Sequence, residues 1–206
     1  MPFTQVQGPD GGGQHPLQVA DAVRVTESLW IGGELHPTAP ATARSQLEEL
    51  CSAGIDSIID CRYERDDIAW VTDAKPQIDY LHIGVKDAGQ RMPDSWFDDG
   101  TEYALEQIDQ GHVVLAHCQA GINRGPSIAY AILIAQGWDA VEALDHIRSS
   151  RPIARIGYAE DAVHWWFSKI GAPHEEVQAQ IDRVRQWRID NQLPRRSDKG
   201  GFVEPA

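Results

Sequence analysis

The chain is short of cysteine, short of positive charge, and has no long apolar run. Cys51, Cys61 and Cys118 are its only cysteines in 206 residues. Three scattered cysteines make no disulfide framework, and none sits in a CxxC pair or a His/Cys cluster at zinc spacing. No metal site and no cofactor is expected. Lysine and arginine total 18 against 31 aspartates and glutamates, for a formal net charge of −13. Such a surface repels polyanions at long range, which argues against a general nucleic-acid binder but leaves room for a local basic pocket. No apolar stretch approaches the ~20 residues that cross a bilayer. The first residues, "MPFTQVQGPDGGGQHPLQ", hold no apolar signal core, so a cytoplasmic protein is expected.

What is present is an ordinary globular composition, 42% hydrophobic, in a chain long enough for one domain with a real core. Residues 1–20, rich in Gly, Pro and Gln, are expected to be disordered. Residues 21–170 read as one domain, and 171–206 as a further helix and a loose tail. "VRVTESLWIGG" reads as two short strands or a hairpin. "ATARSQLEELCSAG" is an amphipathic helix closed by Gly54. "IDSIIDC" and "IDYLHIGV" are strands, and "DIAWVTDA" is a short helix between them. "SWFDDGTEYALEQIDQG" is a helix with Gly111 as its stop, and "HVVLAH" is a buried strand. Four helical segments follow: "PSIAYAILIAQ", "DAVEALDHIRSS", "YAEDAVHWWFSKI" and "HEEVQAQIDRVRQWRIDN". Asp139 and Glu142 stand at capping-box spacing. Strands alternating with helices, then helices alone, predict an α/β fold with a central, mostly parallel sheet flanked by helices.

The segment "HVVLAHCQAGINRGPSIAYAILIAQG" carries the chemistry. A strand that turns through a small-residue loop into a helix aims the loop N–H groups and the helix N-terminus at one point, which is an anion site. Gly121 permits a backbone conformation closed to other residues. Arg124 offers a planar fork matched to two phosphate oxygens, and Pro126 suits a first helical turn. A thiolate at a helix N-terminus beside an arginine can have its pKa lowered, to roughly 3.5–7.5 in such settings. Cys118 is accordingly the candidate nucleophile, on the floor of a cup made by Gln119, Ala120, Gly121, Ile122, Asn123 and Arg124.

"HCQAGINR" resembles the H-C-x5-R signature of cysteine-dependent protein phosphatases, and of the dual-specificity branch in particular. "DYLHIGVKDAG" is similar to that family's general-acid strand and loop, "IRSSRPIARIGYAEDAVHW" to the helix–loop–helix after its signature, and "VTESLWIGG" to its opening strands. The resemblance implies the family's fold and a phosphate-ester hydrolysis through a phosphocysteine. In it Cys118 is the nucleophile, Arg124 binds the phosphoryl oxygens, Asp87 is the general acid and then base, and His117 orients the thiolate. Asp94, Asp98 and Asp99 are the competing carboxyls; Asp94 reads as a helix N-cap and the other two as solvated. "IIDCRYERDD" looks like the segment where tensin-type phosphatases carry a second cysteine, so Cys61 is a candidate redox partner of Cys118.

The sequence departs from the family after the arginine, where Gly125 replaces the usual Ser or Thr. Either Ser127 substitutes, or hydrolysis of the thiophosphate is slow and Gly125→Ser speeds it. "RGP" also resembles the rhodanese-type cell-cycle phosphatases, but Asp87 and "RPIARI" favour the dual-specificity fold. The resemblance implies a phosphorylated protein as substrate, bearing phosphotyrosine and phosphoserine or phosphothreonine. An RNA 5′-phosphate, suggested by Asn123, and a phosphoinositide, disfavoured by the absence of lysine from the cup, remain as alternatives, as does a catalytically weak phosphate-binding module. Arg62, Arg65, Lys86 and Arg91 are placed in loops near the rim. No membrane partner is expected, and the oligomeric state stays open.

Overall fold

Val113–His117 is apolar at both alternating sets of positions, the pattern of a strand covered on both faces. In the computed structural model, which describes residues 17–196 and 201–203, this segment is the middle strand of the main sheet. That sheet comprises β1 (Ala22–Arg24), β2 (Leu29–Gly32), β3 (Ile55–Arg62), β4 (Asp79–Val85) and β5 (Val113–His117). Their order is β1-β2-β5-β3-β4. The β1–β2 pair is antiparallel and the other three pairs are parallel. This is the α/β architecture with a mostly parallel sheet expected from the sequence.

The helices are α1 (Pro40–Ser52), α2 (Ile68–Ala74), α3 (Asp94–Asp109), α4 (Arg124–Ala135), α5 (Ala140–Ser150), α6 (Ala159–Lys169) and α7 (His174–Asp190). The period of two along β5 divides the core. Leu115 packs with Leu47 and Leu50 of α1 and Val71 of α2. Val114 and Ala116 pack with Phe97, Ile128, Leu144, Trp165 and Val184, from α3 to α7. The apolar helix α4 is buried from Arg124 to Ile134, so it lies inside the helical layer rather than on it. Each buried Ile or Leu there contributes about 1.5–3 kcal/mol. Both ends of the signature segment are thus anchored in the core, and the loop between them has little freedom.

The proposed N-cap Asp139 holds, since its side chain accepts from the N–H groups of Val141 and Glu142. Asp94 differs from expectation. It is the first residue of α3, and Pro93 takes the cap position without a side-chain bond. The residue after a proline keeps its own N–H, and here the chain enters the helix directly from Pro93 in extended conformation.

Helix α7 packs on the domain. Val177, Ile181, Val184 and Trp187 join the core, Arg183 grips Asp139 at 2.8 and 2.9 Å, and the indole of Trp187 donates to Asp145 at 2.6 Å. Residues 1–16 lie outside the described residues, while the N–H groups of Val19 and Ala20 bind the Glu49 carboxylate at 2.8 and 2.7 Å. In the C-terminal segment β6 (Arg195–Arg196) pairs with β7 (Phe202–Val203). Among the described residues no helix is long and apolar enough to cross a membrane.

Candidate active site

The parallel pairing of β5 with β2 and β3 carries Cys118 just past the C-terminal end of the strand, where its N–H still donates to the Gly32 carbonyl at 3.3 Å. The sulfur-bearing residue is 3% exposed. From there the loop turns its carbonyls outward. The Gln119 carbonyl accepts from the Glu34 N–H at 3.1 Å and the Ile122 carbonyl from the Arg155 N–H at 2.7 Å. Arg151 donates to the carbonyls of Ala120 at 3.0 Å and Gly121 at 2.8 Å. Four consecutive carbonyls are therefore satisfied from outside. The N–H groups of residues 119 to 123 make no hydrogen bond with any described residue. Gly121 makes the turn possible, with φ +62°, and a Cβ there would stand 2.6 Å from the Gly32 backbone. The cup of Gln119, Ala120, Gly121, Ile122 and Asn123 thus has the geometry of an anion cradle.

Arg124 opens α4 and is almost wholly buried. One terminal nitrogen, Nη1, holds it in place, donating to the Val85 carbonyl at 2.9 Å and the Glu64 carboxylate at 3.0 Å. Burial would raise the Glu64 carboxyl, but the Arg124 hydrogen bond and charge outweigh it and hold it below the usual carboxylate range. The Nε of Arg124 is buried and has no hydrogen-bond partner. A buried, unpartnered guanidinium donor beside a cradle of free N–H groups is arranged for a doubly charged oxyanion.

Asp87 follows β4 and lies over this site. Its Oδ2 is 3.8 Å from Arg124 Nε. Its Oδ1 accepts from Asn123 Nδ2 at 2.6 Å and from the Tyr158 hydroxyl at 2.8 Å. Of the competing carboxyls, Asp98 is tied up away from the cup. It accepts from Trp165 at 2.9 Å and pairs with Lys169 at 2.5 Å.

His117 ends β5 opposite Asp60 in the register. Its Nε2 is 3.6 Å from Asp60 Oδ1, and its Nδ1 is buried without a hydrogen-bond partner. Burial pulls the imidazole below its ordinary range, and the Asp60 charge only partly opposes this. Asp60 itself is buried with Arg62, which donates to it at 2.9 and 2.7 Å, and with the Tyr80 hydroxyl at 2.7 Å. Desolvation raises the Asp60 carboxyl, yet these partners and His117 bring it below the usual value.

One rim expectation needs correcting. Arg62 is fully buried, paired with Asp60, Asp67 and Glu34. Arg65 pairs with Glu34 at 2.7 Å. Arg62 is the last residue of β3, and the acidic groups around it draw its guanidinium inward instead of leaving it in a loop at the rim. Lys86 does lie outward, 5.0 Å from the Tyr63 ring centroid, and Arg91 contacts His164 Nδ1 at 3.0 Å.

Cys61 sits one residue beyond the Asp60–His117 pair, fully buried and in the same core layer as Cys118. Burial pushes its thiol well above the ordinary range, with the neighbouring Cys118 and Asp60 adding to the effect. At Gly125 a Cβ would stand 2.8 Å from the Ala116 carbonyl oxygen and 3.0 Å from the His117 backbone. A side chain at 125 would thus crowd the end of the strand that leads to Cys118. Ser127 Oγ accepts from the Tyr158 N–H at 3.3 Å, on the side of α6.

The dual specificity phosphatase catalytic domain model matches residues 40–160, more than half of the chain. The chain belongs to this family. Among curated proteins it is 28% identical to protein phosphatase Slingshot of Drosophila melanogaster over 65% of this chain and 12% of that protein. It is 33% identical to dual specificity protein phosphatase 1 of Arabidopsis thaliana over 36% of this chain and 38% of that protein. The chain therefore spans well under two thirds of the length of these relatives. Among solved structures, PTPMT1 in complex with PI(5)P superposes with a TM-score of 0.59 at 18% identity, covering 77% of this chain and 97% of that one. Human tyrosine phosphatase-like serine/threonine/tyrosine-interacting protein gives 0.58 at 17% identity, covering 74% and 99%. At these identities the two structures support the dual-specificity phosphatase fold alone.

Sequence reasoning named Cys118, Arg124, Asp87 and Asn123, which the structure brings together, but not their supports. Arg151, Tyr158 and Glu64 were missed as contributors. Arg151 and Tyr158 stand inside the segment similar to the family, "RPIARIGY", and a fully buried tyrosine implies a partner for its hydroxyl. Nothing in the sequence says which partner. Arg188 of α7 was also missed. It is buried and donates to the carbonyls of Arg155 at 3.0 Å and Ile156 at 2.9 Å. It thereby supports the left-handed backbone at Ile156 (φ +48°) beside the cup, a conformation costly for a β-branched residue.

Proposed function

We propose that the protein is a phosphomonoester hydrolase of the dual-specificity type, acting on phosphotyrosine and on phosphoserine or phosphothreonine in proteins. The observation that carries this reading is the buried Arg124 Nε, which makes no hydrogen bond, beside a loop in which the carbonyls of residues 119 to 122 are held by groups outside it. In the proposed reaction the Cys118 thiolate attacks phosphorus while the loop N–H groups and Arg124 hold the phosphoryl oxygens. The P–O ester bond breaks, and the leaving oxygen takes its proton from Asp87. Water then attacks the phosphocysteine and gives a proton to Asp87. The S–P bond breaks, and inorganic phosphate and the thiolate are released. His117 orients the thiolate from behind.

The protein substrate is supported by the absence of lysine from residues 118–124 and by relatives whose names are those of protein phosphatases. A phosphoinositide is the second reading, because the PTPMT1 structure was determined with PI(5)P. Comparing turnover on phosphotyrosine and phosphothreonine peptides, a short-chain phosphatidylinositol phosphate and a 5′-phosphorylated RNA tests it. Peptide turnover at least about tenfold above the other two is expected. Lipid or RNA turnover above peptide turnover refutes the protein assignment and keeps the chemistry.

A further inference from the structure

A carboxylic acid carries its proton on one oxygen, and a general acid works only if that oxygen faces the leaving group. Each carboxyl oxygen offers about two lone-pair sites. Asp87 Oδ1 has both taken, by Asn123 Nδ2 at 2.6 Å and the Tyr158 hydroxyl at 2.8 Å. Oδ2 accepts no hydrogen bond among the described residues and is the oxygen that faces Arg124 Nε.

The direction of both donors is fixed by backbone N–H groups, which can only donate. The Gly89 N–H donates to the Tyr158 hydroxyl oxygen at 3.3 Å. That hydroxyl must accept there, so its single hydrogen is left for Asp87. The Gly157 N–H donates to Asn123 Oδ1. That bond sets which way the amide lies and turns Nδ2 toward Asp87. The Tyr158 ring is buried and locked edge-on against Trp96, with centroids 6.2 Å apart. Tyr158 also reaches the acid loop twice, at Asp87 and at Gly89, while Asn123 belongs to the cup itself. The acid loop is thereby tied to the cup.

We infer that Asn123 and Tyr158 are positioning residues that confine the Asp87 proton to Oδ2 and hold that oxygen over the leaving-group position. The inference rests on the proposed role of Asp87 as the acid. Its consequence is a leaving-group effect. A leaving group that is stable as an anion needs little protonation, whereas a poor one depends on the acid, whose contribution is typically about 10²–10⁴-fold.

The test compares kcat/KM for 4-nitrophenyl phosphate and for phenyl phosphate in the natural protein and in Asp87→Asn, Tyr158→Phe and Asn123→Ala. Competitive inhibition by inorganic phosphate reports on the cup. Tyr158→Phe keeps the ring and removes only the hydroxyl. The expected result is a loss on phenyl phosphate at least about tenfold larger than on 4-nitrophenyl phosphate in Tyr158→Phe, the same in Asn123→Ala, and a larger split in Asp87→Asn, in line with the typical size of acid catalysis. Phosphate inhibition by Tyr158→Phe should change by less than about threefold, since its hydroxyl touches Asp87 and not the cradle. Equal losses on the two substrates in both positioning variants, with the split present in Asp87→Asn, overturn the inference and leave Asp87 as the acid. No split in Asp87→Asn removes the acid role of Asp87, and the inference falls with it.

Discussion

Arg151 and Asp21 form a fork-to-fork pair, Nη1 to Oδ1 at 2.8 Å and Nη2 to Oδ2 at 2.7 Å, and the same guanidinium holds the carbonyls of Ala120 and Gly121. The pair links the entry to β1 with the outside of the anion cup. Hydrogen bonds to a charged group are worth about 1.5–3 kcal/mol each, discounted here because the Asp21 side chain is 58% exposed. Arg151→Met should cost about 2 kcal/mol in urea unfolding and lower kcat/KM on an aryl phosphate at least about tenfold, because the freed carbonyls can turn toward the phosphate. Asp21→Asn should cost less on both measures.

The cysteine pair should be redox-active. Burial holds Cys61 as a thiol, so peroxide oxidises Cys118 first. Cys61 then attacks the sulfenic sulfur, water leaves, and a disulfide forms. Peptide mapping after mild peroxide treatment is expected to find a Cys61–Cys118 cross-link whose reduction restores activity. In Cys61→Ser the same treatment should drive Cys118 to the sulfinic acid. Sulfinic acid at Cys118 in the natural protein, with no cross-link, contradicts the pairing.

The step after phosphoryl transfer should be slow. Gly125 places no hydroxyl next to Arg124, and the structure directs Ser127 Oγ at Tyr158. Rapid mixing with 4-nitrophenyl phosphate is expected to show a burst of about one nitrophenol per active site followed by a slower steady rate. Gly125→Ala should lose about 1–3 kcal/mol of stability through overpacking, since its Cβ meets the Ala116 carbonyl at 2.8 Å. A linear progress curve with no burst excludes slow phosphocysteine hydrolysis.

Stability should depend on the state of His117. Its folded-state pKa lies below the ordinary value because burial disfavours the charged form. As pH falls through ~6.5 the unfolded chain takes up a proton that the folded protein refuses. Stability from this group is therefore full above ~6.5 and declines below it, by at most ~1.4 kcal/mol per pH unit. Urea unfolding between pH 7.5 and 5.5 should show this decline, and His117→Gln should remove part of it.

Much of the fold was legible because its signals are local. The two-faced apolar run at β5 and the all-round apolar α4 mark a buried strand and a buried helix without help from the rest of the chain. Cys118 and Arg124 were legible for the same reason, because one short loop holds both. Asp87 could be read from its place after an alternating strand. The supports were hidden because their partners are distant. Tyr158 meets Asp87 across 71 positions and Arg151 meets Gly121 across 30. Periodicity carries no information about such pairs. Arg62 misled for a related reason. A charge after a strand usually faces water, but here Asp60, Asp67 and Glu34 converge on it. The geometry of that convergence is tertiary.

The most direct measurement is hydrolysis of 4-nitrophenyl phosphate with excess chelator present, comparing the natural protein with Cys118→Ser. The expected result is turnover that survives the chelator and falls by at least about 10³-fold in the variant, with inorganic phosphate still bound, as removal of a covalent nucleophile requires. Turnover that persists in Cys118→Ser, or that the chelator abolishes in the natural protein, would contradict the cysteine mechanism.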